Sequence, residues 1–137
     1  MSRRIWILIG SVILALTISS CGQPQANIDL EGTNWVLIDL AGAAPIAGSV
    51  LTIGFDDGQV HGHLGCNSFS GPYSLSGNTI EFGLLMSTLM ACVDDDMMQQ
   101  ESRMFELIGQ VEAAQLIDGR LHLGLGDGNE LIYEPME

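Results

Sequence analysis

The stretch Val50-Leu51-Thr52-Ile53-Gly54-Phe55-Asp56-Asp57-Gly58-Gln59-Val60-His61-Gly62-His63-Leu64 decides the fold class. Leu51, Ile53 and Phe55 alternate with smaller or polar residues, which gives an extended chain one apolar face. Asp56-Asp57-Gly58 is a turn signal. Alternation then resumes, with Val60, Gly62 and Leu64 inward and His61 and His63 outward. Two runs of period two joined through Asp-Gly specify a β-hairpin laid against a core.

Outward from this hairpin the same grammar repeats. Upstream, Trp35-Val36-Leu37-Ile38 is strand-like, and Ala41 to Gly48 is a small-residue loop containing Pro45. Downstream, Ser76-Gly77-Asn78 turns the chain from around Tyr73 into Thr79-Ile80-Glu81-Phe82. Asp118-Gly119 suits a type I′ turn between Ala114–Ile117 and Arg120–Leu123. Asp127-Gly128-Asn129 leads into Glu130–Tyr133, and Leu121, Leu123, Leu125, Leu131 and Tyr133 share an inward face. One segment changes period. From Asp94 to Gly109, Met97, Met104, Phe105, Ile108 and Val111 fall on one helical stripe. Asp94, Asp95 and Asp96 crowd its start, where the N-cap and the positive end of the helix dipole favour carboxylates. These elements predict an α+β fold: a small antiparallel β-rich half-barrel or barrel with one α-helix packed over an open side or plugging an end.

The chain has 137 residues, room for one domain. Its four basic residues are Arg3, Arg4, Arg103 and Arg120. Without residues 1–20, two arginines face 17 acidic side chains, a formal net charge of −15. That field repels phosphate backbones and anionic headgroups, so nucleic acid is not an expected partner. Nothing polybasic offers a second membrane contact.

Met1-Ser2-Arg3-Arg4 is a basic start, and Ile5 to Ile18 is a mostly apolar run. At ~1.5 Å per residue such a run covers roughly 21 Å, short of the ~30 Å hydrocarbon core. It reads as the apolar region of a secretory signal and not as a span. Ile18-Ser19-Ser20-Cys21 resembles the lipobox of bacterial lipoproteins. That resemblance implies cleavage before Cys21 and a diacylglycerol on its thiol, which ties the chain to a membrane. Gly22 follows, and no Asp stands there as a retention signal, which in a diderm host implies the outer membrane facing the periplasm. The expected organisation is a lipoprotein signal peptide over 1–20, a lipidated tether over 21–29 and a domain over 30–137. Gln23 to Ile28 forms the body of the tether.

Gly65-Cys66-Asn67-Ser68-Phe69-Ser70-Gly71-Pro72-Tyr73 and Thr88-Leu89-Met90-Ala91-Cys92 resemble the two cysteine motifs of the META domain family, the family of HslJ-like heat-shock lipoproteins. Trp35, the Gln100-Glu101 pair on the helix and the closing Leu-x-Leu hairpin also match, over about residues 31 to 135. The resemblance implies a compact β-rich domain with one helix, often on an envelope lipoprotein. It implies an association with stress response and, in some members, with motility or virulence-linked secretion. It implies no enzymatic activity and supplies no catalytic residues. Trp35, Gly65, Asn67, Phe69, Gly71, Tyr73, Thr88 and Glu101 are its motif positions here.

Several residues carry chemistry of their own. With Cys21 spent on lipid, Cys66 and Cys92 remain in an oxidising compartment. One reading joins them in a disulfide, worth roughly 3–4 kcal/mol in the chain-entropy model. The rival reading is a thiol enzyme with Cys66 activated by His63, which needs electropositive surroundings that an acidic chain does not supply. His61 and His63 share a strand face and His122 is expected outward, so a zinc or copper site on these three is the alternative function. As a metal motif His-x-His is weak, and the expected cofactor is none. Three consecutive aspartates lack the alternating ligands of a calcium loop and suit a helix cap better. Glu101 lies inside the apolar stripe of the helix. A carboxylate there must find donors, either the backbone of the Gly65–Gly71 loop or the Trp35 indole. Met86, Met90, Met97, Met98 and Met104 fill a core, or line an apolar groove for a peptide or lipid. The expected function is a non-enzymatic envelope binding module for protein or lipid, with the barrel interior or this methionine seam supplying contacts.

Overall fold

The structure is a computed structural model that describes residues 27–137. The leader, Cys21 and most of the tether lie outside the described residues. Nine strands and one helix follow in the order β1 (Thr33–Leu40), β2 (Leu51–Asp56), β3 (Gln59–Leu64), β4 (Ser68–Ser76), β5 (Thr79–Phe82), β6 (Met86–Ser87), α1 (Asp95–Ile108), β7 (Val111–Ile117), β8 (Arg120–Leu125) and β9 (Glu130–Pro135).

The deciding hairpin forms as read. Leu51 faces Leu64, Ile53 faces Gly62 and Phe55 faces Val60. Asp57 and Gly58 both take positive φ (49° and 70°), the conformation that a two-residue turn between right-twisted strands requires. Asp118 and Gly119 repeat it at φ 51° and 78° between β7 and β8. The strands run β3-β2-β1-β9-β8-β7-β5-β4, all antiparallel, and β4 pairs back onto β3. The eight strands therefore close into a barrel. β6 lies outside the ring against β4, with Phe69 opposite Ser87 and Ser70 opposite Met86.

The interior is filled by the alternating apolar residues. Ile53, Phe55, Val60, Ile80, Ala114, Leu121, Leu123, Leu131 and Tyr133 have no exposed surface. The expected inward set of Leu121, Leu123, Leu125, Leu131 and Tyr133 is buried throughout. Such packing replaces the expectation of a ligand-holding barrel interior: side chains occupy that volume. Gly62 shows why one inward position carries no side chain, since a Cβ there would come within 2.6 Å of the Phe69 ring.

α1 plugs the end of the barrel where the β1–β2 and β3–β4 connections lie. Asp94 is its N-cap, its carboxylate accepting from the amides of Asp96 (2.8 Å) and Met97 (3.2 Å). Met104 and Ile108 enter the core. Val111, counted on the helical stripe from sequence, instead opens β7, because the helix ends at Ile108 and Gly109 caps it.

The chain enters the barrel at the opposite end. Leu30 is buried, Gly32 N–H donates to Phe55 O (2.8 Å), and Glu31 accepts from the amide of Asp57 and from the Tyr73 hydroxyl (2.9 Å). The Tyr73 ring meets Phe55 edge-on with centroids 5.0 Å apart. Burial first, then donation to Glu31 and the charges of Glu31 and Asp29, push the Tyr73 hydroxyl up from 10.0 to about 12. A folded-state pKa above the unfolded one supplies stability that is complete below pH 10 and lost as pH rises towards 12. Urea unfolding midpoints measured across that window are expected to fall, and Tyr73→Phe is expected to flatten the fall.

Candidate functional site

The site is built at the helix end from the β3–β4 connection and, distant from it in sequence, the continuous stretch formed by the segment after β5 and the first half of α1. The Gly65–Gly71 stretch, read from sequence as a loop, is strand from Ser68 onward. β4 begins at Ser68 and runs through Gly71 and Pro72. Only Gly65, Cys66 and Asn67 form the connection, and Gly65 takes φ 109°, a conformation a side chain resists.

Asn67 is the hub. It is one of two buried polar residues among those described, and its side chain is fully used. Its Nδ2 donates to Met90 O (3.0 Å) and to Glu101 Oε1 (2.5 Å). Its Oδ1 accepts from Thr88 Oγ1 (2.8 Å) and from the amide of Met90 (2.7 Å). Glu101 answers from the helix. One of its oxygens, Oε2, accepts from the successive backbone amides of Cys66 (3.1 Å) and Asn67 (2.6 Å). Two converging N–H groups form a small anion-binding concavity, and the carboxylate fills it. Glu101 thus finds donors in the connection, one of the two partners expected for it. The other, the Trp35 indole, donates to Thr33 Oγ1 instead (2.8 Å), near the opposite end of β1. Glu101 is half-buried; the buried helix polar is its neighbour Gln100. Gln100 receives the Ile46 amide (2.7 Å) and donates to Ser49 Oγ (3.0 Å), holding the β1–β2 loop over the helix.

Cys66 and Cys92 are disulfide-bonded, with Cα atoms 5.9 Å apart. The bond joins the connection to the segment that precedes α1, and removes the free thiol that a Cys66 nucleophile needs. Both sulfurs lie within 4.8 Å of a Glu101 oxygen. That triad is no open metal site here, because the sulfurs are bonded to each other and the carboxylate already accepts three hydrogen bonds.

The histidine site does not assemble. His61 and His63 lie on β3 and His122 on β8, with β2, β1 and β9 between them around the ring. His122 is paired with Glu130 (2.9 Å), and His63 accepts from the Gly65 amide (3.1 Å). Strand order, set by closure of the barrel, separates imidazoles that the sequence left free to meet. His61 and His63 border a shallow groove of about 550 Å³ against Phe69, Met86 and Thr88.

What these contacts hold in place is the segment from Gly83 to Val93. It carries no charged residue. Leu85 is tucked against Gly71, where an added Cβ would meet it at 2.8 Å, and Gly71 is required for that approach. Thr88 is fixed twice to Ser68, by N–H to O (3.0 Å) and by Oγ1 accepting from the Ser68 amide (3.1 Å). Around these fixed points the side chains of Leu84, Met86, Leu89, Met90 and Val93 stand in solvent, Leu89 at 95% and Val93 at 105% relative exposure. The methionines therefore divide: Met104 is core, Met97 is partly covered, and Met86, Met90 and Met98 face outward. Neither core filling nor a single seam describes them all.

Comparison with known proteins supports the architecture. The family model described as META domain matches residues 28–137. The NMR structure of a protein from Burkholderia xenovorans is similar over 78% of this chain and 83% of its own, at 26% identity and a TM-score of 0.65. A second NMR structure is similar over 74% of this chain and 87% of its own, at 22% identity and a TM-score of 0.60, which speaks to the fold alone. No curated protein sequence matches the chain.

Proposed function

Because this chain belongs to the META domain family, we propose that it is an exported, non-enzymatic HslJ-like lipoprotein of the cell envelope that supports stress tolerance or envelope maintenance by binding protein or lipid. The observation that carries this reading is the Leu84–Val93 segment: uncharged, tied to the barrel by hydrogen bonds and the disulfide, and with the side chains of Leu84, Met86, Leu89, Met90 and Val93 exposed. Contiguous exposed apolar surface costs solubility and marks interaction sites in soluble domains. Here a disulfide and the Asn67 hub fix that surface outward. The fixing groups themselves point to structure and not to turnover. The cysteines are joined, and the carboxylate and the amide are consumed by their own hydrogen bonds.

Envelope anchoring rests on the basic start, the apolar run and the Ile18–Cys21 lipobox. No helix among the described residues is long and apolar enough to cross a membrane. In the outer membrane of a diderm host, a lipid on Cys21 would hang the domain in the periplasm.

Two measurements test the reading. Intact mass of the protein from its native envelope is expected to lack residues 1–20 and to carry acyl chains on Cys21. Met1 still attached, with Cys66 and Cys92 reduced, would refute export. In a deletion strain, Leu89→Ser/Val93→Ser is expected to fail to restore growth under heat or envelope stress at normal protein levels. Full rescue would remove the segment from the function.

A further inference from the structure

We propose that the Leu84–Val93 face receives an extended segment of another protein whose apolar side chains are flanked by lysines or arginines. The inference deepens the binding reading above and rests on it. Three observations select this occupant over a bilayer or a second copy.

The first is charge. The uncharged run is bounded by Glu81 on one side and by Asp94, Asp95 and Asp96 on the other. Among the described residues the cationic side chains are Arg103 and Arg120, and Arg120 is held by Glu134 (3.0 Å). A second copy would bring 17 acidic residues against 17, and anionic headgroups would meet the same repulsion. A partner with a basic rim gains where those lose, and the rim steers its approach.

The second is placement. The chain enters the barrel at the Asp57–Gly58 turn, where Glu31 is held by Asp57 and Tyr73. Asn67, Met90 and the start of α1 lie beyond the other end of β3, whose six residues span roughly 20 Å. The six residues from Gly22 to Asn27 extend at most about 20 Å. A lipid on Cys21 would therefore hold the entry end next to the membrane, with Leu89, Met90 and Val93 at the far end of the barrel.

The third is form. The strand order ends at β6, so among the described residues one edge of Met86–Ser87 carries no strand partner. An extended segment can add there through backbone hydrogen bonds, while alternate side chains meet Leu84, Met86 and Leu89. The receiving surface is already fixed by the Asn67 contacts and the disulfide, so its ordering adds little cost on binding.

The test titrates the mature, lipidated chain, extracted in mild detergent, against a short fluorescent peptide alternating Leu and Lys. Saturable binding is expected, with roughly tenfold loss in Leu89→Ser/Val93→Ser, as removal of one or two buried apolar side chains predicts. The same peptide with Glu for Lys is expected not to bind. The variant keeps every charge and alters only exposed positions, so its melting temperature and disulfide are expected to be unchanged. Equal binding by variant and native protein would show attraction by net charge alone and overturn the proposal. So would a dimer abolished by the variant, which puts a second copy on the face. Slowed amide exchange over residues 84–93 in phosphatidylcholine vesicles, with no response to either peptide, would place a bilayer there. Failure of peptide binding leaves the growth-rescue result standing, so the two readings fall separately.

Discussion

Glu101→Ala is expected to lower stability by about 3 kcal/mol, seen as a fall of roughly 10 °C in the melting temperature. The carboxylate accepts from the backbone of Cys66 and Asn67 and from the Asn67 side chain. Asn67 is 3% exposed, so water cannot replace the lost acceptor there. Leaving a buried donor without a partner costs more than an average hydrogen bond contributes, and bonds to a charged acceptor lie at the strong end. Glu101→Gln is the sharper variant. It preserves shape and one acceptor oxygen, but its amide must either turn N–H groups onto backbone N–H groups or surrender the Asn67 contact. A loss comparable with that of Ala is expected from thermal melts and urea titration. An unaltered melting curve in the Gln variant would mean that the carboxylate is idle.

Opening the disulfide is the second large effect. Cys66→Ser/Cys92→Ser releases a closure between residues 26 apart in sequence, for which the chain-entropy model gives roughly 3–4 kcal/mol. For a domain of this size that is a large part of a total of about 5–15 kcal/mol. The loss is not expected to add to that of Glu101→Ala. Cys66 and Asn67 are adjacent, and Met90 and Cys92 lie two residues apart on the other segment of the junction. Either change frees the same two segments, so the double variant is expected to fall short of the sum by a measurable coupling energy. Chemical unfolding of the native, single and combined proteins measures it; strict additivity would show that disulfide and carboxylate hold separate things.

Where local rules were sufficient, the sequence was legible. The β2–β3 and β7–β8 hairpins carry alternation on both sides of a residue pair that accepts positive φ. The helix start is written in Asp94, whose carboxylate caps it. The partner of Glu101 was also within reach, because a carboxylate on an apolar stripe has few places to go. Non-local order was not legible. That β3 and β8 stand four positions apart in the ring depends on β9 pairing with β1, and no residue of either histidine strand encodes it. β4 was obscured by Gly71-Pro72, two residues that ordinarily interrupt a strand. Here they sit where the neighbouring segment crosses closely, with Leu85 against Gly71 and Gly83 against Pro72. The burial of Gln100 beside the half-exposed Glu101 follows from Ile46 and Ser49 folding over the helix, which a helical wheel cannot anticipate. Most instructive is Gly83–Val93. Its Met86 and Met90 were read as core filling or as the lining of an apolar groove, and the absence of any period around them was the available signal that they are not core.

The pairing of β1 with β9 has a consequence for how the molecule is made. Trp35 lies opposite Pro135, and Met136 N–H donates to Asn34 O (2.9 Å), so the first strand and the last residues are neighbours. The ring is incomplete until β9 has been made, because one flank of β1 waits for it. Contacts this distant in sequence are slow to form, since loop entropy is lost before they repay it. Were the chain exported as proposed, that delay would serve it: the polypeptide would stay pliable behind a translocon and acquire its shape only after β9 had passed.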